Sequence, residues 1–196
     1  MSDLADAVRI VGISGSLRKG SFNTLLLKLL KEMAPPERLV DVVTLEDIPF
    51  YSEDFEKTPD LPAVAGFKRR IAESDGILIA TPEYNHGVPG VLKNALDWAS
   101  RPAFNSCFKG KPVSIISSSP AFTGGVRAQY QVRETLISMY AHMVTGPEVV
   151  LGGVNTKFTG DAYTAHDDGL DFILRAVHLL RDEILFRREA SHGKTR

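Results

Sequence analysis

Five short apolar runs alternate along this chain with five stretches whose apolar residues recur at helical spacing, and that alternation limits the fold more than any other feature. The runs cover residues 8–13, 39–45, 76–80, 112–117 and 147–151, and they are rich in Val and Ile, as strands are. Residues 76–80 are apolar throughout, the pattern of a strand buried on both faces. Residues 39–45 are more polar and suit a place near an edge.

The helical stretches carry their own stripes. Phe22, Leu25, Leu26, Leu29, Leu30 and Met33 form the first, and Pro35-Pro36 ends it. Val64, Phe67 and Ile71 form the second, with Pro62 near its start and Leu61 beside it. Val88, Val91, Leu92, Ala95, Leu96 and Ala99 form the third, with Pro89 in the first turn and Arg101-Pro102 as the stop. The fourth is predicted from about residue 126 to 143. The fifth spans about 166–188, on Leu170, Ile173, Leu174, Val177, Leu180 and Ile184. Residues 152–165 read as a polar loop and 189–196 as a frayed, charged tail.

Strands alternating with helices predict an α/β domain, a doubly wound parallel sheet with helices on both faces. With five strands the order 2-1-3-4-5 of flavodoxin-like folds is expected. Ligands then bind beyond the strand C-termini, where strands 1 and 3 diverge. The loops after strands 1, 3 and 4 are the unusual ones, at residues 14–23, 81–90 and 117–125, and this topology brings them to one crevice.

The first of these loops holds Ser14, Ser16 and Ser21 as hydroxyl donors, Arg18 and Lys19 as cations, Gly15 and Gly20 for tight backbone, and Asn23 in position to cap the next helix. Hydroxyls, a guanidinium and the N–H groups of a helix start make a phosphate site; the same residues also suit an ordinary turn. The glycines at 12, 15 and 20 do not fit the dinucleotide fingerprint. Ser21-Phe22 stands where a Walker loop needs Lys-Ser/Thr. In the second loop Pro82 and Pro89 stiffen the chain, while Gly87 and Gly90 permit close approach. Its amides suit the edge of a planar ring, with Tyr84 or His86 packing near it. Ser117, Ser118, Ser119 and Gly124-Gly125 in the third loop suit the opposite side. A phosphate site at one end and a flat slot at the other describe FMN.

Gly15-Ser-Leu-Arg-Lys-Gly-Ser-Phe-Asn23, with Thr81-Pro-Glu-Tyr-Asn85 and Gly90-Val-Leu-Lys-Asn-Ala-Leu-Asp-Trp98, resembles the NAD(P)H-dependent FMN reductase family, in its bacterial quinone and chromate reductase branch. The resemblance covers nearly the whole chain. It implies bound FMN, NADPH or NADH as co-substrate, and hydride transfer through the flavin to quinones, and incidentally to chromate or azo dyes. Carried over by residue, it implies that Ser16, Arg18, Ser21 and Asn23 hold phosphate. Phe22, Pro82, Glu83, Tyr84 and Asn85 would line the ribityl chain and ring, with Ser118 and Ser119 on the far side. No protein side chain is expected to carry the redox chemistry, which belongs to the flavin; Glu83 is expected to position rather than to donate protons. His86 stands where close relatives often have a phenol, which bears on acceptor preference. It is either a proton donor to a quinone or a surface histidine.

Composition narrows the alternatives. At 196 residues the chain is expected to form one domain over residues 1–196. A net charge of −1 suggests neither nucleic acid nor a membrane surface as partner. It also disfavours a flavodoxin-type electron carrier, since such carriers dock through strong acidity. A non-catalytic flavin- or nucleotide-binding module is the remaining alternative. The single Cys107 excludes an internal disulfide framework and fits a reducing compartment. A phosphatase loop would need Arg where Val113 stands. His142, His166, His178 and His192 show no metal-ligand spacing. The start of the chain lacks the pattern of a signal peptide, so a cytoplasmic protein is expected.

Two expectations concern assembly. Trp98, Leu96, Tyr130, Leu136, Ile137, Met139 and Tyr140 place apolar residues on more than one side of the third and fourth helices. A homodimer is therefore expected, with Arg127, Tyr130 and Glu148 as polar contacts of a homotetramer. Arg101 lies twelve residues beyond Pro89, on the order of 18 Å from its own crevice. It either caps its helix or reaches an anionic substrate over the partner's flavin.

Overall fold

The computed structural model describes residues 7–33, 40–57 and 61–193. Pro35, Pro36 and Leu39, invoked above, lie outside the described residues. The main sheet is built from β1 (Ile10–Ser14), β2 (Val40–Val43), β3 (Gly76–Thr81), β4 (Pro112–Ser118), β5 (His142–Met143) and β6 (Val149–Leu151). Its order is β2-β1-β3-β4-β5, with β6 also paired to β4, and every pair is parallel. The central strands β1, β3 and β4 are buried along their whole length, as their apolar runs require.

Helices cover both faces. α2 (Pro62–Glu73), α3 (Gly90–Ala99) and α4 (Val126–Ser138) pack on one side, over Ile13, Ile77, Ile79 and Ile115. α1 (Phe22–Met33) and α5 (Gly169–Gly193) pack on the other, over Ile10, Leu78, Ala80 and Ile116. The stripe of α1 is turned slightly from the expected one: Leu27 is buried and Met33 is 45% exposed.

The structure departs from the sequence reading at four points. First, α4 stops at Ser138 instead of running to 143. Tyr140 takes a left-handed φ of 60°, and the Ala141 and Tyr140 N–H groups donate to the Leu136 and Ile137 carbonyls. These are the two bonds of a Schellman stop, here made without the usual glycine. Second, the expected last strand is β6, and residues 142–143, expected to end the fourth helix, form an additional short strand β5; both lie alongside β4. Residues 144–148 leave the sheet between them, and Pro147 has no N–H with which to continue the ladder. Third, the polar loop at 152–165 contains an antiparallel hairpin, β7 (Phe158–Thr159) and β8 (Ala162–Tyr163). Fourth, α5 begins at Gly169 and runs through residues expected to fray.

Most of the apolar residues that suggested an interface are buried within the chain itself. Leu96, Trp98, Leu136 and Met139 are at most 3% exposed. Trp98 reaches its place by donating its indole N–H to the Pro49 carbonyl at 2.8 Å and meeting Tyr51 edge-on. Tyr130, Ile137 and Tyr140 remain more than half exposed. No helix of the described residues is long and apolar enough to cross a membrane.

Candidate active site

The loops after β1, β3 and β4 enclose a crevice of about 330 Å³ at the C-terminal edge of the sheet, a size within the range of small-molecule sites. The first loop folds tightly against the second. Gly15 N–H donates to the Ala80 carbonyl at 2.8 Å, and a Cβ on Gly15 would lie 3.0 Å from Leu92 and 3.2 Å from Thr81 Oγ1. Glycine fits there without displacing either neighbour.

Ser16, Arg18, Ser21, Phe22 and Asn23 all line the crevice. Ser21, not Asn23, caps α1: its carbonyl accepts from Leu25 N–H at 2.9 Å, and its hydroxyl faces Thr24 N–H at 3.5 Å. The first N–H groups of the helix have no intrahelical acceptors and face outward. Asn23 sits inside the first turn, 2% exposed, and spans to β4. Its Nδ2 donates to the Ser118 carbonyl and its Oδ1 accepts from Ser118 N–H, both at 3.1 Å. Arg18 is exposed, with its guanidinium 5.1 Å from the centre of the Phe22 ring, a cation–π arrangement. It makes no ion pair among the described residues. Ser16 Oγ accepts from Arg18 N–H at 3.2 Å and shares a hydrogen bond with Tyr84 Oη at 3.1 Å.

In the second loop Pro82, Glu83 and Tyr84 line the crevice. Asn85 and His86 do not: they form the tip of a two-residue turn with φ of 49° and 65°. Tyr84 and Gly87 exchange both backbone bonds at 3.1 Å, a type I′ closure. Val88 N–H donates to Gln131 Oε1 at 2.8 Å. Three of the amides expected to serve a ring edge are thus used internally. Those of Asn85 and His86 have no acceptor among the described residues. The His86 side chain is 77% exposed, with Nδ1 3.8 Å from Glu83 Oε1. Glu83 itself caps α4: Oε2 accepts from Arg127 N–H at 2.9 Å, and Oε1 lies 3.3 Å from the Arg127 guanidinium. A carboxylate there complements the helix dipole and locks the second loop to α4.

Ser118, Ser119 and Pro120 complete the lining; Pro120 was not singled out in the sequence. The Ser118 hydroxyl is buried without a partner among the described residues. Buried hydroxyls are almost always bonded, so this one fits an acceptor group of a bound molecule. With Arg18 and the hydroxyls of Ser16 and Ser21 at one end and a stiff turn at the other, the donor set suits a phosphorylated planar ligand such as FMN. Behind it, buried Gln129 donates to Ser117 Oγ at 2.9 Å and the Val149 carbonyl at 2.8 Å, fixing β4 to β6. A glutamine in an otherwise apolar helix face is the only sequence sign of that brace.

Arg101 lies outside this crevice. Its Nε donates to Tyr51 Oη at 2.9 Å and is 3.0 Å from Glu56 Oε1, within its own chain. The Glu148 carboxylate beside Tyr130 raises the phenol's pKa. The Cys107 thiol is pushed up to about 11 by burial, an inert environment. Among the described residues no cluster of three metal-ligating side chains occurs.

The chain matches the NADPH-dependent FMN reductase family over residues 8–156. It is 37% identical to an NAD(P)H-dependent FMN reductase of Pseudomonas aeruginosa, over 91% of this chain and 96% of that one. It is 43% identical to a 2-hydroxy-1,4-benzoquinone reductase of a Burkholderia species, over 83% and 88% respectively. Among solved structures it is similar to the flavoenzyme NAD(P)H:(acceptor) oxidoreductase of Paracoccus denitrificans, with a TM-score of 0.77 and 32% identity, over 90% of this chain and 97% of that one. The chain therefore belongs to the NADPH-dependent FMN reductase family, with FMN and a reduced nicotinamide nucleotide as the cofactors that membership implies.

Proposed function

We propose that this protein oxidises NADPH or NADH through FMN held in the crevice, in two alternating half-reactions, and reduces quinones and, less specifically, oxidants such as chromate. The observation that carries the reading is the crevice itself: around one cavity of about 330 Å³ stand a guanidinium with no ion pair, two hydroxyls and a buried hydroxyl with no partner among the described residues. Arg18 would hold the phosphate, with Ser16, Ser21 and the first amides of α1 as further donors. Pro82 and Tyr84 bound the slot for the ring, and Glu83 holds that loop in place through α4. When bound, FMN supplies the hydride acceptor and the onward electron donor. Asn85 and His86 present free amides and an imidazole at the rim, on the side open to the acceptor.

We place the working unit as a homodimer or homotetramer in the cytoplasm. Exposed Tyr130, Ile137 and Tyr140 supply the apolar contact. Arg101, released from Glu56, would attract anionic substrates to a neighbouring crevice.

The test is Arg18→Ala. Loss of a charge-assisted bond worth about 1.5–3 kcal/mol lowers FMN affinity by roughly one to two orders of magnitude, while the fold survives because the residue is exposed. Flavin retained equally by wild type and variant after dialysis refutes the assignment. Parallel double-reciprocal plots of NAD(P)H oxidation against a quinone distinguish the reductase from a carrier or a silent binding module.

A further inference from the structure

We propose that Phe158, on the hairpin of β7 and β8, is a positioning residue that holds Arg18 toward the flavin phosphate. The proposal rests on the reading of the crevice as an FMN site.

An exposed arginine has many rotamers, and fixing it for one ligand costs conformational freedom. Among the described residues Arg18 has no carboxylate to hold it. What limits it is the Phe22 ring, 5.1 Å below the guanidinium carbon. That ring is itself held from behind. Phe158 packs on it at 5.4 Å between centroids, tilted 42°, and Tyr163 meets Phe158 edge-on at 5.2 Å and 86°. Phe158 and Tyr163 are paired directly across the two strands, so the hairpin sets their contact.

The far end of the stack is pinned by Asp167. It accepts from Tyr163 Oη at 2.9 Å and from Gly169 N–H at 3.0 Å, and it pairs with Lys157. Burial and the bond to Asp167 push the Tyr163 phenol up to about 12, so it remains a donor throughout the working pH range. A Cβ on Gly169 would lie 2.9 Å from both Asp167 Oδ1 and Tyr163 Oη, so the two side chains close over a glycine at the start of α5. Asp167, Tyr163, Phe158, Phe22 and Arg18 therefore form a continuous brace from the start of α5 to the phosphate loop. The family match ends at residue 156, so most of this brace lies beyond it.

The experiment compares FMN with riboflavin, which lacks the phosphate. Full-length variants are titrated with each flavin, and fluorescence gives two dissociation constants. Phe158→Ala is expected to weaken FMN about three- to tenfold, the scale of a cation–π contact, and to leave riboflavin within about twofold. Phe158→Tyr keeps the ring and restores FMN binding. Adding Phe158→Ala to Arg18→Ala causes little further loss, because both act through one contact. Equal weakening of both flavins, or unchanged FMN binding, overturns the proposal. If Arg18→Ala itself weakens both flavins equally, the phosphate reading has failed, which is a separate result. Should Phe158→Ala fail to fold, Tyr163→Phe keeps every ring and removes only the bond to Asp167. A fall of about twofold in preference for FMN over riboflavin then supports the brace, and an unchanged ratio overturns it.

Discussion

Asn23→Ala tests the claim that the crevice is assembled by a single buried amide. Asn23 joins the loop after β1 to the end of β4 through two bonds of 3.1 Å to the Ser118 backbone, at 2% exposure. Truncation leaves a buried N–H and a buried C=O without partners, each worth about 1–3 kcal/mol. The adjoining crevice admits water and recovers part of that, so a net loss of about 2 kcal/mol is expected. For a chain of this size, 1 kcal/mol moves the melting temperature by about 2–4 °C, giving a drop of about 4–8 °C. The measurement is thermal unfolding of flavin-free protein by circular dichroism, which separates the amide's structural role from any contact with ligand. Asn23→Asp sharpens it. The shape is kept, but an acceptor replaces the Nδ2 donor facing the Ser118 carbonyl, so this variant should melt below wild type as well. The same changes loosen the strand end that carries the orphaned Ser118 hydroxyl, so flavin affinity falls in both. A flavin-free Asn23→Ala protein that melts within about 1 °C of wild type would refute the reasoning.

Two further outcomes follow from the packing. Gly15→Ala places a Cβ 3.0 Å from Leu92 and 3.3 Å from the Ala80 carbonyl; overpacking of this kind costs about 1–3 kcal/mol, read as a lower urea midpoint together with weaker flavin retention, and no change in either would sink it. Cys107 ionises at about 11 in the folded chain against 9.0 for a free thiol, so alkylation at pH 8 should be negligible until the protein unfolds. Because the folded state holds this proton longer, its contribution to stability is full below about pH 9 and is lost as pH rises toward 11; rapid labelling of native protein at pH 8 would contradict this.

What the sequence determined by itself is local and periodic. Continuous apolar runs such as residues 76–80 bear the mark of strands buried on both faces, and the stripes between them that of helices packed on those faces. Once parallel strands alternate with helices, the handedness of the crossovers leaves few topologies, and the expected order 2-1-3-4-5 is the one observed, with the expected fifth strand as β6 beside β4. The loops after β1, β3 and β4 then must meet, which is why Ser16, Arg18, Ser21, Pro82, Tyr84, Ser118 and Ser119 could be named before any coordinates and line one crevice here.

What only the tertiary structure decided is which partner each polar group takes. Asn23 has the chemistry of a cap, but the backbone of β4 lies within reach and Ser21 takes the cap instead. Glu83 has the chemistry of an acid, but the start of α4 points its N–H groups at it. Trp98 and Met139 look like interface residues until the 46–57 loop and the sheet cover them. The stop of α4 depends on Tyr140 accepting a left-handed φ that its side chain disfavours, and the β7–β8 hairpin packs Phe158 on the Phe22 ring. Each of these is a contact between residues distant in the chain, or a backbone state that one residue's preference does not encode. Periodicity carries no information about them, because it records only which face is buried and not what meets it there.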